Sequence, residues 1–154
     1  MFYRKAKIAD VETIHAFISH YAGIDLMLAR PRAMLYESIR EFTVVEDKGK
    51  VVAAGSLHIL WEDLAEIRAL TVAPDYICKG LGKMIVSQLL LEAKDLGVPQ
   101  VFALTYQPGF FSKCGFAMVE KEQLPQKVWK ECINCPKFPN CEENAMIINL
   151  EAKL

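Results

Sequence analysis

The amino-acid sequence predicts one mixed α/β (α+β) domain in which helices cover both faces of a single sheet. Three observations support this prediction. Strand-like and helix-like apolar segments alternate along the chain. A turn signal at residues 47–49 joins two strands as a hairpin, which adds antiparallel pairing. An apolar strand over 65–72 continues through a glycine-rich loop into a long apolar helix. We therefore expect three layers, and not a doubly wound sheet.

The first part of the chain is predicted to contain a strand, two helices and the hairpin. Asp10 is positioned to cap a helix whose apolar residues recur at helical spacing as far as Ala22. Residues 23–34 form a linker or a lid. Pro31 ends one element and suits the first turn of a second helix that runs to about Glu41. The strands of this part are predicted over 2–6, 42–47 and 50–61.

The second part is predicted to continue the alternation. Gly97 ends the long helix as a C-cap, and Pro99 prevents the helix from resuming. A short amphipathic helix over 110–113 stops at Gly115, and the Cys- and Pro-rich insertion 124–141 breaks regular structure. The strands are predicted over 65–72, 100–105, 116–119 and 145–150.

Composition excludes several classes of protein. A length of 154 residues with 53% hydrophobic content predicts a single domain over 1–154 with a full core. The net charge is −1 and the basic residues are scattered, so no surface for nucleic acid is expected. No apolar run reaches the roughly 18 residues that span a bilayer, and the N-terminus does not read as a signal peptide. Five cysteines without a secretory signal are expected to be mostly reduced. We expect a cytoplasmic protein that binds no membrane.

The loop that follows strand 65–72 has the features of an anion site. Gly80 and Gly82 lack the Cβ atoms that would keep an anion away from backbone N–H groups. The helix N-terminus adds unpaired donors, and Lys79 and Lys83 add full charges. The loop predicts a phosphate or pyrophosphate site, and an ordinary turn with two glycines is the alternative. A dinucleotide fingerprint and a P-loop ending are both missing.

The same loop resembles the acetyl-CoA motif of the GNAT N-acetyltransferases, V-x-P-x-[YW]-[RQ]-G-x-G-[LIV]-G, over Val72–Gly82. Two positions depart from the motif, because Ile77 replaces Arg or Gln and Cys78 replaces the first Gly. The resemblance implies acetyl-CoA as co-substrate and a roughly seven-stranded sheet that splays between strands 65–72 and 100–105 to admit the pantetheine. The acetyl-CoA contacts it implies are Leu70, Thr71, Val72, Ile77, Cys78, Lys79, Gly80, Leu81, Gly82, Lys83, Phe110 and Phe111.

Glu66 and Arg68 are the candidate catalytic pair. They lie two apart on one strand and share a face, and charges there are costly unless they are paired or functional. A mutual ion pair is the alternative to a catalytic role. The resemblance implies a general base six residues before Val72, where Glu66 stands. The tyrosine that often acts as general acid is replaced by Phe111, and Tyr106 or water is expected to serve instead.

Arginines are the candidates for binding an acceptor carboxylate, because the guanidinium forms bidentate pairs with carboxylates. For Arg30 and Arg32 plain surface charge is the alternative. Residues 26–72 and 124–146 resemble the short N-acetylglutamate synthases of bacterial arginine biosynthesis. The resemblance implies acetyl transfer to the α-amine of glutamate. Its carboxylates would be held by Arg30, Arg68 and Lys127.

A cysteine cluster has the spacing of metal ligands. Cys132, Cys135 and Cys141 form C-x2-C-x5-C, but a closed Zn²⁺ site needs a fourth ligand, and Cys114 or His58 could supply it only if the fold brings one of them close. Packed or oxidisable thiols are the alternative.

Two other functions stay open at this point. The acceptor could be another amino acid, a polyamine or a protein N-terminus, although the arginines argue against a polyamine. A protein of another class would bind acetyl-CoA only as a ligand and sense metal or redox state through the cysteines; Ile77, Cys78 and Phe111 favour it. GNAT domains often pair, so a homodimer is possible.

Overall fold

The computed structural model describes residues 1–125 and 143–150. These residues form one seven-stranded sheet in the order β1-β2-β3-β4-β5-β7-β6. The strands are β1 (Phe2–Lys5), β2 (Phe42–Asp47), β3 (Lys50–Trp61), β4 (Leu64–Val72), β5 (Gln100–Thr105), β6 (Ala117–Val119) and β7 (Asn144–Asn149). The helices are α1 (Val11–Ala22), α2 (Arg32–Glu37), α3 (Leu81–Leu96) and α4 (Pro108–Lys113).

The sheet is mixed, as the sequence predicted. β4 and β5 run parallel, and the other neighbouring strands pair antiparallel. The parallel register covers Leu64–Glu66 of β4 and Gln100–Phe102 of β5. The two strands part beyond those three pairs, so the predicted splay is confirmed.

Helices pack on both faces and complete the three layers. On one face α3 buries Ile85 and Leu89 against strand residues such as Leu57. On the other face α1 buries Ile14 and Ile18 in a second cluster. Burying one such side chain stabilises the fold by about 1.5–3 kcal/mol. The two apolar clusters therefore stabilise the sheet from both faces.

Close packing of α3 on the sheet depends on a glycine in β3. A Cβ atom at Gly55 would lie 2.7 Å from Cγ2 of Ile85 and 3.1 Å from Cδ1 of Leu70. Gly55 therefore lets the helix approach the strand more closely than any side chain would permit.

Two local predictions were wrong. The second helix ends at Glu37, and a separate 3₁₀ turn covers Ile39–Glu41. The helix ends at Ser38, whose φ of −107° and ψ of 16° lie outside the helical region, and both its N–H and its hydroxyl donate to the carbonyl of Met34, at 3.0 and 2.7 Å. Asp10 does not cap α1 with its side chain. Its carboxylate instead accepts the Lys7 N–H at 2.7 Å and the guanidinium of Arg4 at 2.9 and 3.1 Å.

The helix end at Gly97 was predicted correctly. Gly97 has φ +88°, a left-handed conformation, and its N–H donates to the carbonyls of Ala93 and Lys94. This is the geometry in which glycine ends a helix at low cost.

Candidate active site

A cleft of about 290 Å³ opens where β4 and β5 separate. Both strands, the segment before α2, and α4 contribute to its walls. The lining residues are Tyr21, Leu26, Met27, Leu28, Arg30, Glu66, Ile67, Arg68, Ala69, Leu70, Thr71, Val72, Ile77, Leu104, Thr105, Tyr106, Gln107, Phe110, Phe111 and Glu143.

The β4 wall contains a β-bulge that sequence reasoning missed. Gly55 alone lies opposite two residues, Ala69 and Leu70. Ala69 has φ +55°, which is costly for a residue with a side chain. A bulge disrupts the ladder and releases backbone groups from sheet pairing, so β4 can offer a donor to a ligand carbonyl here. The isolated glycine in β3 was the available signal. The register pairs that flank the bulge are Ala54 with Thr71 and Ser56 with Arg68.

Glu66 and Arg68 form an ion pair inside the cleft. The Arg68 Nε donates to Oε1 of Glu66 at 2.6 Å, and the two side chains are only 14% (Arg68) and 10% (Glu66) exposed. The hydroxyl of Ser56 donates to the Arg68 carbonyl at 3.1 Å and fixes the backbone behind the pair. The ion-pair alternative is therefore present, and it does not exclude chemistry because both residues also line the cleft.

His58 lies beside this pair on the neighbouring strand. Its Cα partner across the sheet is Glu66. Its Nδ1 lies 3.1 and 3.2 Å from the two carboxylate oxygens of Glu41. His58 is therefore a hydrogen-bonded neighbour of the Glu66–Arg68 pair.

The glycine loop has the backbone conformation that its motif requires. Gly80 has φ +81° and immediately precedes α3. Cys78 has φ +69°, so the position retains the backbone of the motif's glycine although it carries a side chain. Gly82 also permits close packing, because a Cβ atom there would lie 3.1 Å from the ring of Phe110. Its missing side chain allows α4 to pack against the start of α3.

The loop is anchored to the end of β2. The hydroxyl of Tyr76 donates to Oδ2 of Asp47 at 2.7 Å, and this hydrogen bond raises the pKa of Tyr76. The ammonium of Lys79 lies 5.1 Å from the centre of the Tyr76 ring, within the range of a cation–π contact. Lys83 in the first turn of α3 lies near Cys114; burial raises the pKa of that thiol and the lysine charge opposes the rise.

Tyr21 connects α1 to the end of β4. Its hydroxyl donates to the carbonyl of Val72 at 2.6 Å, and burial raises the pKa of Tyr21 so that it stays protonated. Beside it, the hydroxyl of Thr71 is buried and makes no hydrogen bond within the described residues. Sequence reasoning missed Tyr21 because its position in α1 reads as ordinary core.

The charged residues predicted for the acceptor have different outcomes. Arg30 lines the cleft, and its Nη1 lies 3.6 Å from Sδ of Met34. Arg32 does not line it; its Nε donates to Glu12 at 2.9 and 3.1 Å on the outside of α1. Lys127 lies outside the described residues. Glu143 lines the cleft and was not predicted, because it precedes β7 by sequence but reaches the site only through the fold.

The aromatic residues after β5 lie on the opposite wall. Tyr106 follows β5 directly and lines the cleft. Phe111 is 5% exposed and packs edge-on against Phe110 at 5.1 Å between ring centres. Phe111 is therefore a core residue that also lines the cleft.

The metal ligands predicted from the sequence belong to the Cys- and Pro-rich insertion. Cys132, Cys135 and Cys141 lie outside the described residues. Within residues 1–125 and 143–150, no group of three or more His, Cys, Asp or Glu side chains is arranged to hold a metal ion. Over the same ranges no helix is long and apolar enough to cross a bilayer.

Known protein sequences match most of this chain. The profile of the acetyltransferase (GNAT) family matches residues 12–116. An uncharacterized N-acetyltransferase of Chlorobaculum tepidum is 39% identical over 147 residues, covering 96% of this chain and 95% of that protein. The amino-acid acetyltransferase of Mycobacterium tuberculosis is 40% identical over 131 residues, covering 83% of this chain and 75% of that protein.

Solved structures share the whole fold. Rv2747 from Mycobacterium tuberculosis, crystallised in complex with CoA and NLQ, superposes with a TM-score of 0.87 at 34% identity, covering 97% of this chain and 99% of that one. N-acetylglutamate synthase from Neisseria gonorrhoeae, complexed with coenzyme A and N-acetyl-glutamate, gives a TM-score of 0.88 at 24% identity. This chain spans 35% of that larger protein, and at this identity the likeness concerns the fold alone.

Proposed function

The chain belongs to the acetyltransferase (GNAT) family, and from this premise we propose that it acetylates the α-amine of L-glutamate with Glu66 as general base. Dependence on acetyl-CoA and transfer to nitrogen follow from the family. An amino acid as acceptor agrees with the relatives named amino-acid acetyltransferase. The observation that supports the proposal most directly is the Glu66–Arg68 pair in a cleft that borders the glycine loop.

The described residues fit acetyl-CoA on one side of the cleft. The N-terminus of α3, a helix of 16 residues, carries unpaired N–H groups and a partial positive charge that suit a pyrophosphate. Gly80, which immediately precedes α3, has a left-handed backbone conformation, and Lys79 and Lys83 add positive charge. The pantetheine would pair with backbone groups of Leu70–Val72 where β5 has moved away.

Under this proposal the acetyl group passes directly from acetyl-CoA to the amine, with no covalent intermediate on the protein. The ammonium group of the acceptor gives one proton to the Glu66 carboxylate, and the free amine attacks the thioester carbon. As the C–S bond breaks, the Tyr106 hydroxyl, the candidate donor, gives its proton to the coenzyme A thiolate and recovers one from the second proton that the nitrogen loses. A backbone donor at the β4 bulge would stabilise the oxyanion that forms at the carbonyl.

An acceptor with two carboxylates needs cationic side chains in the same cleft to pair with them. Arg30 and Arg68 both line it, and each can pair with a carboxylate through its guanidinium. Lys127 remains a third candidate from the sequence. Arg68 would have two functions, because it also holds Glu66.

Release of free coenzyme A from acetyl-CoA, measured with each amino acid in turn, tests the acceptor. Strong turnover with glutamate alone would support the full proposal. Turnover with another amino acid would keep the chemistry and replace the substrate. Binding of acetyl-CoA without turnover on any amine would reject the proposal and direct attention to the cysteine cluster.

Replacing Glu66 tests the base. We expect Glu66→Gln to lower kcat by about 100-fold while the KM for acetyl-CoA stays unchanged, because the amide still accepts from Arg68 but takes no proton. Steady-state kinetics on glutamate measure both constants. Glu62→Gln, on the exposed β3–β4 turn, is the matched control and should behave as the unmodified protein. Equal turnover by Glu66→Gln would remove this residue from the mechanism.

A further inference from the structure

Three ionisable groups form a row from the residue before β2, across β3, to β4. Glu41 immediately precedes β2, His58 lies on β3, and Glu66 lies on β4. His58 and Glu66 are direct partners in the antiparallel register, so their side chains project from the same face. Directly opposed Cβ atoms in such a pair lie about 4.5–5.5 Å apart. The row therefore begins with Glu66 at the cleft wall, passes through His58 on β3, and ends with Glu41 just before β2.

The hydrogen bonds of the row assign the tautomer of the imidazole. Nδ1 of His58 lies within hydrogen-bonding distance of both carboxylate oxygens of Glu41. A carboxylate accepts, so Nδ1 carries the hydrogen and Nε2 is the nitrogen that can take up a proton. Glu41 thus orients the ring and stabilises the imidazolium that would form.

Exposure changes along the row. The Glu66 side chain is 10% exposed, whereas the side chains of His58 and Glu41 are 33% and 32% exposed. The register pair Ser56–Arg68 adds a guanidinium to the same face of the sheet. Glu41, Glu66 and Arg68 are therefore charged groups on the side of the sheet that carries the imidazole.

Acetylation of an amine at neutral pH releases one proton for each turnover. An ammonium group and acetyl-CoA yield an amide, a thiol and H⁺, since only one of the two displaced protons is retained by the thiol. A base that is nearly buried and paired to Arg68 must lose its proton before the next cycle. The partly exposed side of the row, at His58 and Glu41, offers such an exit.

We propose that His58, oriented by Glu41, carries the proton from Glu66 to solvent. This rests on the proposed role of Glu66 as base. The O–H bond formed on Glu66 breaks as one bridging water passes a proton to Nε2 of His58, and the resulting imidazolium returns it to bulk water. His58 does not touch the substrate, so it is a positioning and relay residue.

Variants of the two outer residues test the relay. His58→Gln and Glu41→Gln should lower kcat on the order of tenfold, less than the loss in Glu66→Gln, with no change in the KM for acetyl-CoA. His15→Gln, on α1, is the matched control and should leave both constants unchanged. Thermal denaturation of each variant should give the midpoint of the unmodified protein.

Chemical rescue separates a relay from a structural role. Imidazole added to the assay should restore the kcat of His58→Ala in a concentration-dependent way and should not restore Glu66→Gln. An unchanged kcat in His58→Gln, or a loss in His58→Ala that imidazole does not restore, would overturn the relay. If Glu66→Gln is impaired and His58→Gln is not, the relay alone fails. If Glu66→Gln is fully active, the proposed base fails and the relay fails with it.

Discussion

Cys78 carries a side chain at a position whose backbone conformation favours glycine. Its φ of +69° costs an L-residue about 1–2 kcal/mol, and glycine removes that cost while adding freedom to the unfolded chain. We therefore expect Cys78→Gly to raise the free energy of unfolding by roughly 0.5–1 kcal/mol. Urea denaturation followed by circular dichroism measures the change.

The matched control at this position is Cys78→Ala. It removes the thiol but keeps the demand on the backbone, so its stability should stay within about 0.5 kcal/mol of the unmodified protein. If the alanine variant gained as much stability as the glycine variant, the thiol and not the backbone would be the cause.

At this scale the sequence predicted what depends on local spacing. Glu66 and Arg68 were expected to share a face because alternate residues of a strand do so, and they pair in the cleft. Tyr21 and Glu143 were not expected at the site. Each belongs to a segment that reaches the cleft only through tertiary packing. No local sequence pattern predicts such a contact.

At the scale of elements, the contact between α3 and β3 depends on Gly55. An alanine there would force Ile85 and Leu70 to move, and such overpacking costs about 1–3 kcal/mol. We expect Gly55→Ala to lower the free energy of unfolding by that amount in urea denaturation. Gly109→Ala is the control, because a Cβ atom at Gly109 meets no atom within 4 Å. Equal stability of the two variants would contradict the packing argument.

The bounds of the strands and helices were predictable where the sequence has a strong turn or helix-cap signal. Residues 47–49 and Gly97 have clear signals, and the strand bounds beside them agree closely with the structure. The bulge at Ala69 and the break at Ser38 were not predicted. The bulge lies opposite a glycine of the neighbouring strand, which only the tertiary pairing brings there, and the break at Ser38 is a change of backbone angles in a residue whose N–H still pairs with the Met34 carbonyl.

At the scale of the whole molecule, acid stability should depend on Asp10, which connects β1 to α1. Burial raises the pKa of Asp10, but hydrogen bonds from Arg4 and from the Lys7 N–H outweigh it, so the pKa lies below its ordinary value of 3.8. A depressed pKa stabilises the fold above the unfolded value, and this contribution is lost as pH falls through the folded value.

Asp10→Asn should therefore destabilise the protein by about 2 kcal/mol at neutral pH and by much less near pH 3. Thermal denaturation at both pH values measures the difference. Asp95→Asn, an exposed position in α3, is the control and should show no such dependence. A deficit in Asp10→Asn that is the same at both pH values would show that the charge is not the cause.

The short parallel register between β4 and β5 divides the sheet into a four-stranded part and a three-stranded part joined at three residue pairs. A substrate arm with amide groups of its own, lying in the gap, would act as a partial strand and continue the ladder where the protein stops. The backbone groups that recognise the substrate are then the same groups that a closed sheet would have used for its own stability. A mutation that extended the β4–β5 pairing would make the protein more stable and would at the same time close its cleft. The fold therefore lacks the stability that further β4–β5 hydrogen bonds would add, and the open cleft is the result.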